Sequence, residues 1–283
     1  MLNTDIYGEF ETAWCPGCGD HAILKSLKQA LAILEIEPHQ YVHCSGIGQA
    51  AKTPHYLRCN CFNGLHGRSL PPAQAIKLAN PDATVLVSSG DGCSYGEGGN
   101  HFLAAIRRNV DITVIVHDNQ IYGLTKGQAS PTTSEGSKTK SQPWGVTNQP
   151  FNPMAVAVAM RANFVARSFS GMMEHLTDMI VQAVRHPGFS LVDVLQPCVS
   201  FNKINTFSWY KERCKPIDPA HDPTNWEAAM QVASVFGQTI PVGVIYKNDR
   251  PPLGARYKTL AAGPLHERTP NLAAVERIMQ TFA

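Results

Sequence analysis

The sequence has no apolar run of 18 or more residues, so it offers no membrane span. It has no massed basic block. Lys and Arg number 24 against 22 Asp and Glu, for a net charge of +2, and the basic residues are scattered. That argues against nucleic acid as a partner. Internal repeats and low-complexity linkers are lacking too, and 283 residues suit one large α/β domain or two small ones. The opening Met1-Leu2-Asn3-Thr4-Asp5 lacks the charged and apolar regions of a signal peptide, so the expected compartment is the cytoplasm.

Cysteine, by contrast, is plentiful, with eight residues at 15, 18, 44, 59, 61, 93, 198 and 214. A reducing compartment disfavours disulfides, and a buried thiol is often only a small apolar residue. The pair in Cys15-Pro16-Gly17-Cys18 has the spacing of a metal or cluster site.

Apolar periodicity predicts a helix over 20–34, a short strand over 41–44 and a loop over 49–67. A helix over 71–78 with proline in its first turn follows, then a continuous β-prone run over 84–89. The pattern continues as helix 97–108, strand 112–117, a long polar loop 122–150, helix 152–162, strand 164–169, helix 172–186 and strand 189–195. Strands alternating with helices imply a doubly wound, mostly parallel α/β sheet. The less regular tail carries a helix near 226–236, a strand near 242–246 and a last helix near 271–281. The division expected is a main domain over 1–205 and an extension over 206–283, packed on that domain or on a partner.

The chain is organised around the stretch from Gly90-Asp91-Gly92 to Asn119-Gln120-Ile121. Mg²⁺ takes near-octahedral oxygen ligands and keeps substrate phosphates among them. Asp91 offers a carboxylate, Asn119 a neutral oxygen and Ile121 a backbone carbonyl. Gly90 and Gly92 let the chain turn tightly and let phosphates approach. Gly-Asp-Gly alone is a common turn. The 26 residues between Gly92 and Asn119, however, fit strand–helix–strand, which puts both ends at the carboxyl ends of neighbouring strands.

This motif resembles the diphosphate site of thiamine diphosphate enzymes. Gly64-Leu65-His66-Gly67-Arg68-Ser69 resembles the turn that holds the cofactor's pyrimidine in that superfamily, with backbone at Leu65 to Gly67. Ser45-Gly46-Ile47-Gly48 resembles the loop that meets the diphosphate. Together with Trp14-Cys15-Pro16-Gly17-Cys18 and Gln196-Pro197-Cys198, the set resembles the β subunit of 2-oxoacid:ferredoxin oxidoreductases over residues 10–250.

The resemblance implies thiamine diphosphate, Mg²⁺ and one [4Fe–4S] cluster. It also implies oxidative decarboxylation of a 2-oxoacid to acyl-CoA and CO₂, with electrons leaving to ferredoxin. Cys15, Cys18 and Cys198 match ligand positions. The fourth position, after Gly-Ile-Gly, holds Gln49 instead of cysteine. Cys59, on a loop, is the preferred substitute over Cys44 on a strand, because binding groups favour loops. A zinc site at Cys15 and Cys18 is the weaker alternative.

Gly123, Leu124 and Lys126 follow directly on the metal loop and are expected at the cofactor and substrate end. His66 and Lys126 are the catalytic candidates. Lys126 pairing with a distal carboxylate would favour 2-oxoglutarate over pyruvate. The activating glutamate of such enzymes comes from a pyrimidine domain, for which this chain has no room. A catalytic α subunit is therefore expected, in a heterodimer or a dimer of heterodimers. Two competing readings are a non-redox thiamine diphosphate decarboxylase subunit, which has no use for the cysteine set, and a non-catalytic iron–sulfur module, which leaves Asp91 and Asn119 unexplained.

Overall fold

A computed structural model describes residues 1–260 and 263–282; the other residues of the expected 206–283 extension, 261, 262 and 283, lie outside that description. Its core is an eight-stranded sheet in the order β2-β1-β3-β4-β6-β5-β8-β7. The strands are β1 (Tyr41–Ser45), β2 (Asn60–Asn63), β3 (Thr84–Gly90), β4 (Ile112–Asp118), β5 (Phe164–Phe169), β6 (Phe189–Leu195), β7 (Cys214–Pro216) and β8 (Ile240–Lys247). The first six pair in parallel, and β8 joins β5 antiparallel.

The central strands read as unbroken apolar runs because both faces are covered. Along β3 and β4, Val85, Val87, Val114 and Val116 face one core, whereas Leu86 and Ile115 face the other. The first core lies under α2 (Leu70–Ala79), α3 (Gly99–Arg108), α4 (Pro153–Ala159) and α7 (Trp226–Ala233). The second lies under α1 (Asp20–Ile33) and α5 (Met173–Arg185).

The segment after residue 205 is built into this same sheet and core. It supplies α6 (Phe207–Arg213), β7, α7 and β8, and Ala229, Ala233 and Ile245 are fully buried in the first core. By contrast α8 (Leu272–Gln280) buries none of its residues.

The predicted loop over 49–67 instead contains a 3₁₀ turn, Ala50–Tyr56, and the edge strand β2. All four residues of β2 are exposed and two are asparagine, so no apolar pattern marks it. The Gly-Asp-Gly turn runs into a π-helical segment, Gly92–Glu97, before α3 begins. Such π-turns are concentrated at functional sites.

Candidate active site

The chain leaves β1 for edge strand β2, then returns to the other side of β1 as β3. Such a reversal opens a crevice beyond the carboxyl ends of the strands. Ile47 and Gly48 after β1, Gly90 to Gly92 at the end of β3, and Asn119 and Ile121 after β4 all line one cleft there. His66, Gly123 and Leu124 complete its mouth.

Gly46, Leu65 and Gly67 form the flanking turn and do not line the cleft. The Gly67 amide donates to Cys93 Sγ at 3.1 Å. Gly67 has φ +69°, and a Cβ on it would stand 2.5 Å from the Glu97 carbonyl carbon. Only glycine brings these two backbones together. At Gly92 a Cβ would meet Tyr122 Cε1 at 2.2 Å.

Asp91 is buried, and its Oδ2 accepts from Thr132 Oγ1 at 2.7 Å. The same hydroxyl lies 2.8 Å from Asp118 Oδ1, so one proton serves two carboxylates. Burial pushes the Asp91 carboxyl up to about 6, against the lowering effect of hydrogen bonds from Ser130, Thr132 and the Gly92 amide. Burial likewise holds Asp118 well above the usual carboxylate range, with Asp193 and Asp91 adding to it. A cation at this place would offset the cost of keeping these acids ionised. Asn119 Oδ1 accepts from the Ile121 amide at 3.0 Å, and the Asn119 carbonyl accepts from Asn202 Nδ2 at 3.1 Å. Gln120 between them has φ +58°, so the loop is held in a conformation that non-glycine residues rarely adopt.

Three groups at this site carry no sequence signal. His117 Nδ1 lies 2.6 Å from Asp20 Oδ1, both fully buried and 97 residues apart, and His117 Nε2 has no hydrogen-bond partner. Glu97 takes the Tyr122 hydroxyl at 3.0 Å and lies 3.1 Å from His66 Nδ1. Thr132 comes from the middle of the long polar loop over 122–150, and nothing local singles it out within that loop.

Lys126 has φ +76° and stands exposed on the hairpin closed by the Tyr122–Gln128 bridge. It does not line the cleft.

A second pocket lies directly behind the first. Cys15, Cys18 and Cys198 line it together with Trp14, Asp20 and Gln196. Gln49, Asn119 and Gly123 belong to both pockets and form their shared wall. Cys18 Sγ donates to Asp20 Oδ2 at 3.3 Å, and Ser200 Oγ donates to Cys15 Sγ at 3.1 Å. Burial, then the Asp20 charge, pushes the Cys18 thiol far above its ordinary value, so only a bound cation would hold it as thiolate.

The structure does not bring Cys59 to this pocket. Its Sγ points at the carbonyls of Pro54 and Leu57, 3.9 and 3.8 Å away, and it packs against the core beneath α1. The alternative, Cys44, is fully buried in the opposite core. The loop placement that favoured Cys59 was not enough, because the 3₁₀ turn carries that loop away from the pocket. Gln49 stands there instead, its backbone carbonyl held by Trp14 Nε1 at 2.9 Å. Among the described residues no three His, Cys, Asp or Glu side chains converge on a single metal ion. The three thiols line a pocket rather than a point, which fits a cluster better than the zinc alternative.

Similarity to known proteins agrees with this geometry. Residues 42–194 match the model of the thiamine pyrophosphate enzyme C-terminal TPP-binding domain. Residues 198–262 match the model of the C-terminal part of the pyruvate ferredoxin oxidoreductase beta chain. The chain is 46% identical over 246 residues to the beta subunit of 2-oxoacid:ferredoxin oxidoreductase 1 from Aeropyrum pernix, covering 83% of this chain and 77% of that one. It is 41% identical over 198 residues to 2-oxoglutarate oxidoreductase subunit KorB from Mycobacterium tuberculosis, covering 70% of this chain and 53% of that one. Among solved structures, 2-oxoglutarate:ferredoxin oxidoreductase from Magnetococcus marinus superposes with a TM-score of 0.89 at 35% identity, covering 93% of this chain and 91% of that one.

Fold and cleft therefore define a thiamine-diphosphate-binding domain. The chain belongs to the β subunits of the 2-oxoacid:ferredoxin oxidoreductases.

Proposed function

We propose that this chain supplies the diphosphate-binding and electron-exit half of an enzyme that oxidatively decarboxylates a 2-oxoacid to acyl-CoA and CO₂. The single observation behind this is the shared wall: Gln49, Asn119 and Gly123 separate the cofactor cleft from the cysteine pocket by one layer of residues. A non-redox decarboxylase has no need of a cysteine pocket in that place.

The residues fit the expected groups. Asp91, Asn119 and the Ile121 carbonyl are the Mg²⁺ donors, with Ile47, Gly48 and Gly90 to Gly92 offering backbone to the diphosphate. Cys15, Cys18 and Cys198 supply cluster thiolates. When bound, thiamine diphosphate provides carbanion stabilisation, and the cluster provides one-electron acceptance toward ferredoxin. The protein's part is orientation. Thr132 fixes Asp91, Tyr122 walls the Gly92 turn, and Glu97 stands 3.1 Å from His66 at the mouth.

The activating glutamate comes from an α subunit, in keeping with the β-subunit naming of the relatives. We favour 2-oxoglutarate as substrate. The solved relative is described with 2-oxoglutarate, coenzyme A and succinyl-CoA bound. Lys126, on its hairpin beside the cleft, is a cation for the distal carboxylate. Lys126→Met should shift the preference toward pyruvate by about tenfold or more, one charge-assisted contact being worth roughly 1.5–3 kcal/mol. An unchanged ratio of the two rates would remove Lys126 from the argument.

Co-purifying the chain with its α partner and assaying thiamine, iron and sulfide together tests the whole reading. All three should be present, with CoA-dependent ferredoxin reduction, and the isolated chain should be inactive. Thiamine without iron would instead establish the non-redox decarboxylase.

A further inference from the structure

We propose that the cluster carried by this chain has three thiolate corners, Cys15, Cys18 and Cys198, and that its fourth iron is bound by the side-chain amide oxygen of Gln49. This rests on the cluster reading above and adds the identity of the fourth corner.

Gln49 lines the same pocket as the three thiols. Its backbone is pinned by the Trp14 indole, itself next in sequence to Cys15. Its Oε1 is buried without any hydrogen-bond partner. A buried amide oxygen left unpaired is destabilising, and a bound iron would relieve that.

None of the remaining cysteines lines this pocket. Cys44, Cys93 and Cys214 are buried, and Cys59 packs under α1. Cys61 lies on edge strand β2 in register with His43. The pocket's other oxygen-bearing side chains are Asp20, Asn119, Ser200 and Gln196. Asp20 Oδ1 is held by His117, Asn119 Oδ1 accepts from the Ile121 amide, and the Ser200 hydroxyl donates to Cys15. Gln196 Oε1 is buried and unpaired as well and is the competing donor, so an iron loss brought on by Gln196→Ala and not by Gln49→Ala would overturn the assignment.

An amide oxygen is a harder and weaker ligand for iron than a thiolate, so this corner holds its metal least firmly. One-electron oxidation should therefore release it. The cluster [4Fe–4S]²⁺ gives up one electron to the oxidant and one Fe²⁺ to solvent, leaving [3Fe–4S]⁺ on the three thiolates.

The test uses the complex of this chain with its α subunit, purified without oxygen and then treated with ferricyanide. The expected result is loss of one iron in four and appearance of the EPR signal of an oxidised three-iron cluster. Ferrous iron with dithionite should reverse both changes. Gln49→Cys should keep four irons through the same treatment. Gln49→Ala, which needs no new ligand to be accommodated, should be isolated already depleted to three. Asp20→Asn should respond to ferricyanide as the unaltered complex does.

Four irons retained in both the unaltered complex and Gln49→Ala would overturn the assignment. So would an iron loss governed by Asp20→Asn and indifferent to Gln49→Cys. Complexes containing thiamine but no iron or sulfide would overturn the cluster reading itself, a different failure from four irons held firmly.

Discussion

The cleft and the cysteine pocket share a wall but are made differently. In the cleft the key groups are already tied to protein partners. Asp91 is held by Thr132, Asn119 by the amide of Ile121, and the Gly92 turn is packed on Tyr122. In the cysteine pocket Cys15 is exposed, Cys18 and Cys198 are half-buried, and Gln49 leaves an oxygen with no partner. The first site is organised by the fold. The second is a set of loop residues that a cluster would draw together. Preorganised groups bind without reorganisation, whereas a ligand-organised site gains much of its order on loading.

The largest effect that separates the two should come from Asp91→Ala. It removes the one carboxylate proposed for the metal and should lower turnover about 10³-fold, as expected for loss of several kcal/mol of charge stabilisation. Thiamine content of the complex should fall while iron and sulfide stay. Loss of both together would show the sites to be one cooperative unit.

Gly92→Ala comes next. Its methyl group runs into the Tyr122 ring, and overpacking of this kind costs about 1–3 kcal/mol. Thermal unfolding of the cofactor-free complex should show a lower midpoint, partly restored by Tyr122→Ala, which opens the space. No restoration would place the strain elsewhere.

The pH dependence follows in size. A free Asp titrates near ~3.9, whereas burial raises Asp91 to about 6, so between these values the folded state binds more protons than the unfolded state. Cofactor-free stability should therefore fall as pH rises through this window, by roughly 1–3 kcal/mol. Mg²⁺ with thiamine diphosphate should flatten the slope, as should Asp91→Asn. A slope that survives Asp91→Asn would assign it to other acids, such as Asp118.

The smallest effect is expected at Cys59, where Cys59→Ser should leave iron content unchanged and destabilise by about 1 kcal/mol through lost packing. Loss of iron in that variant would return Cys59 to the ligand set.

These contrasts also explain what could be read from the residues alone. The strands β3 and β4 were legible because burial on both faces writes an unbroken apolar run. The cleft was legible because its glycines and its Asp and Asn sit next to those strands in sequence. Edge strands β2 and β7 were not, one being exposed and polar and the other only three residues long. Neither the Asp20–His117 pair nor the Thr132 link to Asp91 could be found from local pattern, since each joins residues tens of positions apart. Cys15, Cys18 and Cys198, grouped from the sequence, do line one pocket, whereas Cys59, the loop cysteine expected with them, does not. The 3₁₀ turn over Ala50–Tyr56 sets where Cys59 lies, and no spacing rule reports that.

The central claim is that the two sites work across their shared wall. It is tested most directly by adding 2-oxoglutarate and coenzyme A to the oxygen-free complex with no external acceptor, and following the cluster by EPR. The account predicts that a reduced-cluster signal appears, and that it does so only when thiamine diphosphate is present. CO₂ release from the thiamine-loaded complex with the cluster signal unchanged would contradict it.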